Sequence, residues 1–178
     1  MDKENNIKEK FKQALISTVK VISDDYKINV LKKNSSSQNF NFFELDNLNS
    51  KQDFIRFRAE ADSEALRKKF SNIEIYKKNL PKNSSYKSLY DISEKIRYEL
   101  IGSKMLKGIS KNFNENYYQK LNLIRKDQLK SKEDVNISEA FELYMLKNFH
   151  NLSLSTLAKQ ILSFWEKDFD KSIKEHIE

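Results

Sequence analysis

The chain has 178 residues, 33 lysines and arginines against 26 aspartates and glutamates, and no cysteine. The lack of cysteine excludes a disulfide scaffold, an iron–sulfur cluster, a thiolate zinc site and a cysteine nucleophile. Two glycines and one proline are too few for a Gly-rich phosphate loop, a dinucleotide-binding fingerprint or a turn-dense β-sandwich. Twelve phenylalanines and eight tyrosines can still build a core in a chain that is only 38% hydrophobic.

The positive charge is concentrated in the middle of the chain. Residues 65–111 contain 12 basic and 4 acidic groups, whereas the whole chain has a net charge of +7. Such a segment can attract phosphate, acidic lipid or an acidic protein, and it is equally typical of a lysine-rich solvated helix face. Direct reading of DNA or RNA bases is not expected, because such reading relies on arginine and the segment contains only two arginines, Arg67 and Arg97.

The sequence favours a cytoplasmic protein without a membrane segment. No apolar run approaches the roughly 18–20 residues that span a bilayer. Residues 1–12 are charged and lack the apolar stretch of a secretory signal.

The first third of the chain predicts one helix and one small β-hairpin. Apolar residues at a spacing of three and four predict a helix over residues 4–23. Residues 27–32 alternate apolar and polar side chains, and residues 40–45 are aromatic and β-prone. These patterns predict a hairpin near residues 27–45, with a Ser- and Asn-rich loop at 33–39.

The middle of the chain predicts two further helices. Ser50 and Asp53 form a capping-box-like start for the first of them. Pro81, within the polar stretch 79–85, marks a break, and a long helix is expected from about 86 to 109. Gly102 and Gly108 fall towards the end of that helix, where we interpret them as helix-end or packing glycines.

The last third predicts a short helix, a linker and two helices. The pattern indicates a short helix at 115–124, a mobile linker at 126–136, and a helix at 138–149. A final helix is expected to open at Ser153 or Ser155 and to reach Ile177. The predicted fold class is therefore mainly α, a single multi-helix domain over residues 1–178 with one small β-hairpin.

Residues that could carry chemistry are few, and we predict no catalytic, cofactor-binding or metal site in this chain. The two histidines, His150 and His176, are far apart in sequence and are interpreted as surface residues. Neighbouring carboxylates could act as acid and base only if burial separated their pKa values, and nothing in the sequence indicates burial. These carboxylates are Asp24 with Asp25, Glu60 with Asp62 and Glu64, and Asp168 with Asp170.

Two blocks resemble the CobT subunit family of the aerobic cobaltochelatase. Residues 58–67, RAEADSEALR, resemble that family's R-G-x-A-D-x-x-A-L-R segment. Residues 94–103, EKIRYELIGS, followed by Gly108-Ile109 and Asn112, resemble its E-Q-x-R-V-E-A-x-G-S segment and the G-V-x-x-N that follows. The order and spacing of the blocks agree with the family. The opening FKQA at 11–14 and the closing segments, Ala140 to Leu146 and Trp165, extend the resemblance over nearly the whole chain.

The chain departs from the family pattern at several positions. Ala59 replaces the family's glycine, and Phe70 and Ser71 stand where histidines are common. Lys104 and Lys107 keep only part of a basic stretch. The family's acidic linker and von Willebrand-type domain are absent from this sequence, so we expect it to correspond to the family's N-terminal domain alone.

The resemblance implies a function within a larger assembly. The family enzyme inserts Co2+ into hydrogenobyrinic acid a,c-diamide during cobalamin synthesis and is driven by ATP hydrolysis. By resemblance, this chain is a non-catalytic adaptor that docks to the AAA+ ATPase subunit and links it to the large corrin-binding subunit. ATP, Mg2+ and Co2+ are then implied for the complex and not for this chain, and a homo-oligomer is an open alternative.

Six charged residues match the family blocks and are the candidate site residues: Arg58, Asp62, Arg67, Glu94, Arg97 and Glu99. Helical spacing allows local pairs between Arg58 and Asp62 and between Glu94 and Arg97. The set is interpreted either as a charged network that joins two helices or as an interface to the ATPase ring.

A different class of function stays open beside the adaptor. A basic helical domain could bind RNA or another anionic surface non-specifically, and such binding should weaken steeply with salt. The lysines concerned are Lys68, Lys69, Lys77, Lys78, Lys104, Lys107 and Lys111.

Overall fold

A computed structural model describes residues 2–27, 48–122, 129 and 131–177. Its described residues form helices and no strand, which confirms the mainly α prediction. The helices are α1 (Asp2–Ser23), α2 (Lys51–Phe70), α3 (Ile73–Asn79), α4 (Ser84–Met105), α5 (Lys107–Asn122), α6 (Ile137–Phe149), α7 (Thr156–Ser163) and α8 (Glu166–Ile177). None of the helices in these ranges is both long and apolar enough to cross a membrane.

The predicted β-hairpin near residues 27–45 has no support in the structure. Apart from Lys27, which lies in a turn, it falls outside the described residues. Within the predicted linker at 126–136, Lys132–Asp134 form a 3₁₀ turn. The turn is stabilised by the Asp134 carboxylate, which accepts a hydrogen bond from the backbone N–H of Ser131 at 2.9 Å.

The capping box predicted at the start of the second helix is confirmed. The Ser50 hydroxyl oxygen accepts a hydrogen bond from the Asp53 backbone N–H at 3.2 Å. In return the Asp53 carboxylate accepts one from the Ser50 N–H at 2.9 Å. The two bonds satisfy backbone N–H groups that a helix start leaves without partners.

Two helices predicted as continuous are broken. The helix expected at 86–109 ends at Met105, and α5 begins at Lys107, so that the helix expected at 115–124 starts earlier than predicted. The final helix is interrupted at Phe164 and Trp165. At that second break the Trp165 N–H donates to the Leu162 carbonyl at 2.9 Å, a tight i to i−3 turn. Apolar spacing continues through both breaks, which explains why periodicity did not reveal them.

The described residues form two compact units. The first comprises residues 1–71 and 101–116. Its core lies between α1 and α2, where Leu15 and Val19 pack against Phe57, Ala61 and Ala65. The two alanines are fully buried, and their small side chains let the helices approach closely.

The second unit comprises residues 72–100 and 117–178. Its core joins α6, α7 and α8. The Phe169 ring is central to it, with ring contacts to Phe141, Tyr144 and Trp165 at centroid distances of 5.3 to 6.2 Å. Ala158 is fully buried in the same cluster. Aromatic side chains thus contribute buried apolar area to the core of a chain that is low in hydrophobic residues.

Gly102 marks a close helix crossing in the first unit. It is buried on α4, and a Cβ atom added there would lie 2.3 Å from Cδ1 of Leu66 on α2. Gly108, in the first turn of α5, is exposed and has no neighbour within 4 Å of the corresponding position. The two glycines therefore have different roles, and only Gly102 permits a close approach.

We expect Gly102→Ala to lower the free energy of unfolding by about 1–3 kcal/mol, because the new methyl group overlaps a packed leucine. The measurement is urea unfolding followed by circular dichroism. Gly108→Ala is the control, and it should be neutral or raise stability by up to about 1 kcal/mol, because alanine favours the helix. Adding Leu66→Ala should reduce the loss caused by Gly102→Ala. Equal stability of Gly102→Ala and the wild type would contradict this account.

Candidate functional site

The structure divides the family-matching residues between the two units. Arg58, Asp62 and Arg67 lie on α2 in the first unit, together with Gly102 and Gly108. The other three, Glu94, Arg97 and Glu99, lie on the part of α4 that belongs to the second unit. The six charged residues are therefore described as two groups.

A groove of about 470 Å³ lies in the first unit. Its walls come from the second half of α1, from α2 and from the junction of α4 and α5. The lining residues are Ser17, Thr18, Val21, Ile22, Arg58, Asp62, Leu106, Lys107, Gly108 and Ile109. Arg58 and Asp62 from the first family block thus share a groove with Gly108 and Ile109, which follow the second block.

The groove has exposed apolar walls. Val21 is 59% exposed and Leu106 is 48% exposed, although both side chains are large and aliphatic. The hydroxyl groups of Ser17 and Thr18 are directed to their own helix, where they donate to the carbonyl oxygens of Gln13 and Ala14 at 2.9 Å. The remaining polar groups of the lining are the exposed cations Arg58 and Lys107 and the carboxylate of Asp62.

Asp62 is a buried carboxylate, with 2% of its surface exposed. Its Oδ2 atom accepts a hydrogen bond from Asn112 Nδ2 at 2.6 Å. Burial raises the pKa of Asp62 above its usual value, and the Asn112 hydrogen bond and the Arg58 charge oppose this in part. The predicted Arg58–Asp62 pair is not among the salt bridges of the described residues, so Arg58 acts as a nearby charge.

The other two arginines form local pairs on the helix surface. Arg97 makes two hydrogen bonds to Glu94, at 2.8 and 2.7 Å, so the predicted pair is present. Arg67 makes the same double contact with Glu64, both at 2.7 Å, a pair that was not among the predicted ones. Each is an i, i+3 pair within one helix and is partly exposed. Pairs of this kind contribute only about 0.2–1 kcal/mol each.

Glu99 belongs to a buried cluster in the second unit. Its Oε2 atom accepts a hydrogen bond from the buried Tyr117 hydroxyl at 2.6 Å. The Tyr117 ring lies 5.8 Å from the His150 ring and 5.4 Å from Lys95 Nζ. Burial and the Glu99 charge hold the pKa of Tyr117 well above its usual range.

His150 is half-buried, so its interpretation as a surface residue is wrong. Burial and the nearby Lys95 charge lower the pKa of His150 to about 4, which keeps the imidazole neutral at physiological pH. The side chain of His176 lies outside the described residues. Sequence reasoning missed the cluster because Glu99 and Tyr117 lie on different helices, 18 positions apart.

The remaining carboxylates have structural partners. Asp24 pairs with Lys69, and Asp168 with Lys132. Asp170 accepts a hydrogen bond from the Tyr144 hydroxyl at 2.8 Å. Within the described ranges, no group of three or more histidine, aspartate or glutamate side chains could hold a metal ion. Asp24, Asp168 and Asp170 thus take part in contacts that join separate segments of the fold.

Asp62→Asn should change the pH dependence of stability in a defined direction. Because its folded-state pKa is raised, Asp62 makes wild-type stability fall as pH rises from about 3.8 through that higher pKa. The variant lacks this fall, so its stability relative to wild type should increase over the same window. The amide keeps an oxygen that can accept the Asn112 hydrogen bond. The measurement is urea unfolding at a series of pH values from about 3 to 7.

Asp53→Asn is the matched control for this prediction. Its side-chain hydrogen bond to Ser50 and its backbone hydrogen bonds lower the pKa of Asp53. The ionised Asp53 carboxylate therefore stabilises the wild-type fold, and this contribution increases as pH rises and is lost in acid. Asp53→Asn should lose stability relative to wild type as pH rises towards 3.8, the opposite sign to Asp62→Asn. The same trend in both variants would contradict the assignment.

The family of the chain follows from comparison with known proteins. Residues 5–178 match the family described as "Cobalamin biosynthesis protein CobT". No solved structure gives a significant match to the chain. The match covers both family blocks, the groove that Arg58 and Asp62 line, and the helices that follow. The chain belongs to the CobT family, and its role lies in cobalamin biosynthesis.

Proposed function

We propose that this chain is a non-catalytic adaptor of the ATP-dependent cobaltochelatase and docks to its AAA+ ATPase subunit. In this proposal it also links the ATPase to the large corrin-binding subunit, which inserts Co2+ into hydrogenobyrinic acid a,c-diamide. ATP and Mg2+ belong to the ATPase subunit, and the cobalt ion is a substrate held by the large subunit. All three subunits would act together in the cytoplasm, and self-association of the adaptor is compatible with this arrangement.

The observation that carries the docking proposal is the apolar groove of the first unit. Val21 and Leu106 both line this groove, and both expose large aliphatic side chains. Exposed apolar surface in a concavity is a common feature of protein interaction sites. A volume of about 470 Å³ suits one or two large side chains of a partner and not an extended corrin ring with its side groups.

The charged groups of the groove indicate the chemistry of the docking segment. Arg58 and Lys107 are exposed cations at the apolar lining, whereas the carboxylate of Asp62 is buried and already bonded to Asn112. A partner segment with an aliphatic anchor and a neighbouring carboxylate would satisfy both kinds of surface. Electrostatic complementarity of this kind fixes the orientation of a partner and speeds its association.

No specific observation favours the alternative function, which is non-specific binding of RNA or another anionic surface. Its seven lysines are divided between the units, with Lys77 and Lys78 in the second and the other five in the first. Lys69 is paired with Asp24, and Lys111 with Glu115. These pairs reduce the charge available for phosphate.

The test is co-purification of the chain with the AAA+ chelatase subunit from the same genome, with and without ATP, at moderate and high salt. We expect a stoichiometric complex that survives high salt, because the proposed contact is largely apolar. Val21→Glu should weaken it by about tenfold, since it removes apolar contact and repels an acidic partner. Absence of a complex with wild-type protein under every condition would contradict the adaptor proposal.

Ile7→Glu is the matched control for Val21→Glu. Ile7 lies on the same helix, is also 59% exposed and is not part of the groove lining. The substitution introduces the same charge and should change the affinity by less than about twofold. Equal weakening by both variants would show that the groove is not the docking surface.

Arg97→Glu tests whether the charged pairs hold the fold together. Because the Glu94–Arg97 pair lies within one helix and is partly exposed, reversal should lower the free energy of unfolding by less than about 1 kcal/mol. Arg67→Glu, with the same geometry to Glu64, is the matched variant. Thermal unfolding provides the measurement, and co-purification of the folded variants shows whether either arginine contacts the ATPase subunit. Unfolding of Arg97→Glu at ambient temperature would support the structural network instead.

A further inference from the structure

Helix α3 is a regular helix without a buried face. Its seven residues are all exposed or intermediate, and none is buried. Short isolated helices are marginal in water and usually depend on packing of an apolar face. Here the Asn72 side chain caps the start by accepting from the N–H groups of Glu74 and Ile75, at 2.9 and 3.1 Å. At the other side the Tyr76 hydroxyl donates to Asp91 on α4.

The cap and the tyrosine hold α3 so that two isoleucines face solvent. Ile73 is 43% exposed and Ile75 is 59% exposed. Tyr86, at the start of α4, is exposed as well. Single exposed apolar residues are ordinary on protein surfaces. Residues 73–87, which we call the α3 strip, contain three large exposed apolar side chains. Such a local concentration is typical of a surface that binds a partner.

The same strip carries an excess of positive charge. Its lysines are Lys77, Lys78, Lys82 and Lys87, and Glu74 is its only acidic residue. No ion pair joins these lysines to any residue within the described part of the chain. Several other lysines of the second unit are paired, among them Lys95 and Lys120 with Glu142, Lys132 with Asp168, and Lys147 with Glu166.

We propose that the α3 strip binds an acidic protein segment that also carries aliphatic side chains. Charge complementarity supplies the acidic character, because four lysines that form no ion pair within the described ranges follow Ile75 in the strip. Ile75, which is 59% exposed, supplies the aliphatic character, since an aliphatic side chain gives a protein partner apolar contact but offers no stacking surface to a base. This surface is separate from the groove residues, and the inference does not depend on docking to an ATPase.

Two other anionic partners fit the strip less well. RNA recognition draws on arginine and on several exposed aromatic side chains, whereas the strip has no arginine and a single exposed aromatic residue, Tyr86. A bilayer surface requires apolar side chains on one face of a helix. Ile73 and Ile75 are two positions apart, so they lie about 200° apart around α3 and cannot enter one membrane face together.

The test uses a fluorescent synthetic peptide built from Glu-Leu-Leu-Glu repeats and measures its binding to the full chain by anisotropy. We expect binding that weakens with salt. Replacing Lys77, Lys78, Lys82 and Lys87 together by glutamine should raise the Kd by about tenfold or more. Ile75→Ser should also raise it, by about threefold, and binding of a Lys-Leu-Leu-Lys peptide should be absent.

Matched variants outside the strip distinguish the effect of the strip residues from a general effect of lost charge or lost apolar surface. Glutamine at Lys10, Lys51, Lys159 and Lys167, all exposed and elsewhere in the chain, removes the same charge and should leave the Kd within about twofold. Ile7→Ser matches the exposure of Ile75→Ser. Thermal unfolding checks that each variant is folded.

Three results would overturn the inference. The first is equal weakening by the strip and control variants. The second is failure of the acidic peptide to bind. The third is tighter, strip-dependent binding of polyuridylate or of phosphatidylserine vesicles, which would assign the strip to RNA or to a membrane surface. Loss of peptide binding in the strip variants alone, while co-purification with the ATPase subunit persists, would support the strip as a second and independent interface.

Discussion

The close contact between α2 and α4 at Gly102 is the constraint on which the groove of the first unit depends. Leu66 occupies the space that a side chain at position 102 would need, so the helices can approach only because this residue is glycine. Ten positions later Asn112 is bonded to Asp62, also on α2. The chain is therefore attached to α2 on both sides of the α4–α5 junction, and the junction itself forms one wall of the groove.

The break between the two helices lies between these two contacts, since α4 ends at Met105 and α5 begins at Lys107. The Leu106 N–H still donates to the Gly102 carbonyl, at 2.9 Å, and the Leu106 carbonyl accepts from Ile109 N–H at 3.0 Å. The backbone groups at the break thus remain satisfied while the Leu106 side chain is exposed towards the groove.

Buried polar groups tie each unit together internally, whereas most ion pairs lie at the surface. Asp62 with Asn112 in the first unit, and Glu99 with Tyr117 in the second, are hydrogen bonds between distant parts of the sequence. Losing one partner of such a buried bond is costly, because the other group stays desolvated. The Arg67 and Arg97 pairs are local, and the two arginine side chains remain partly exposed. Residues of the family blocks therefore serve both purposes, some in the interior and some at the surface.

Local sequence patterns determined most of the secondary structure and the local side-chain pairs of this protein. Apolar spacing predicted the mainly helical class. The spacing of polar and charged residues predicted the Ser50–Asp53 capping box, a last-helix start at Ser153 or Ser155 and the Glu94–Arg97 pair, because each depends on residues within a few positions of one another. The ordered blocks around Arg58 and Glu94 also identified the family. Tertiary structure decided the helix breaks at Leu106 and Phe164, the partner of Asp62, the half-buried position of His150 and the exposure of α3. Asp62 and Asn112 lie 50 positions apart, and periodicity within one helix carries no information about which residue of a distant helix will meet a given side chain. Burial likewise depends on which distant segments pack against a residue. The sequence therefore supplied the charged candidate residues, and only the tertiary structure showed that Asp62 and Glu99 are buried whereas Arg67 and Arg97 are partly exposed.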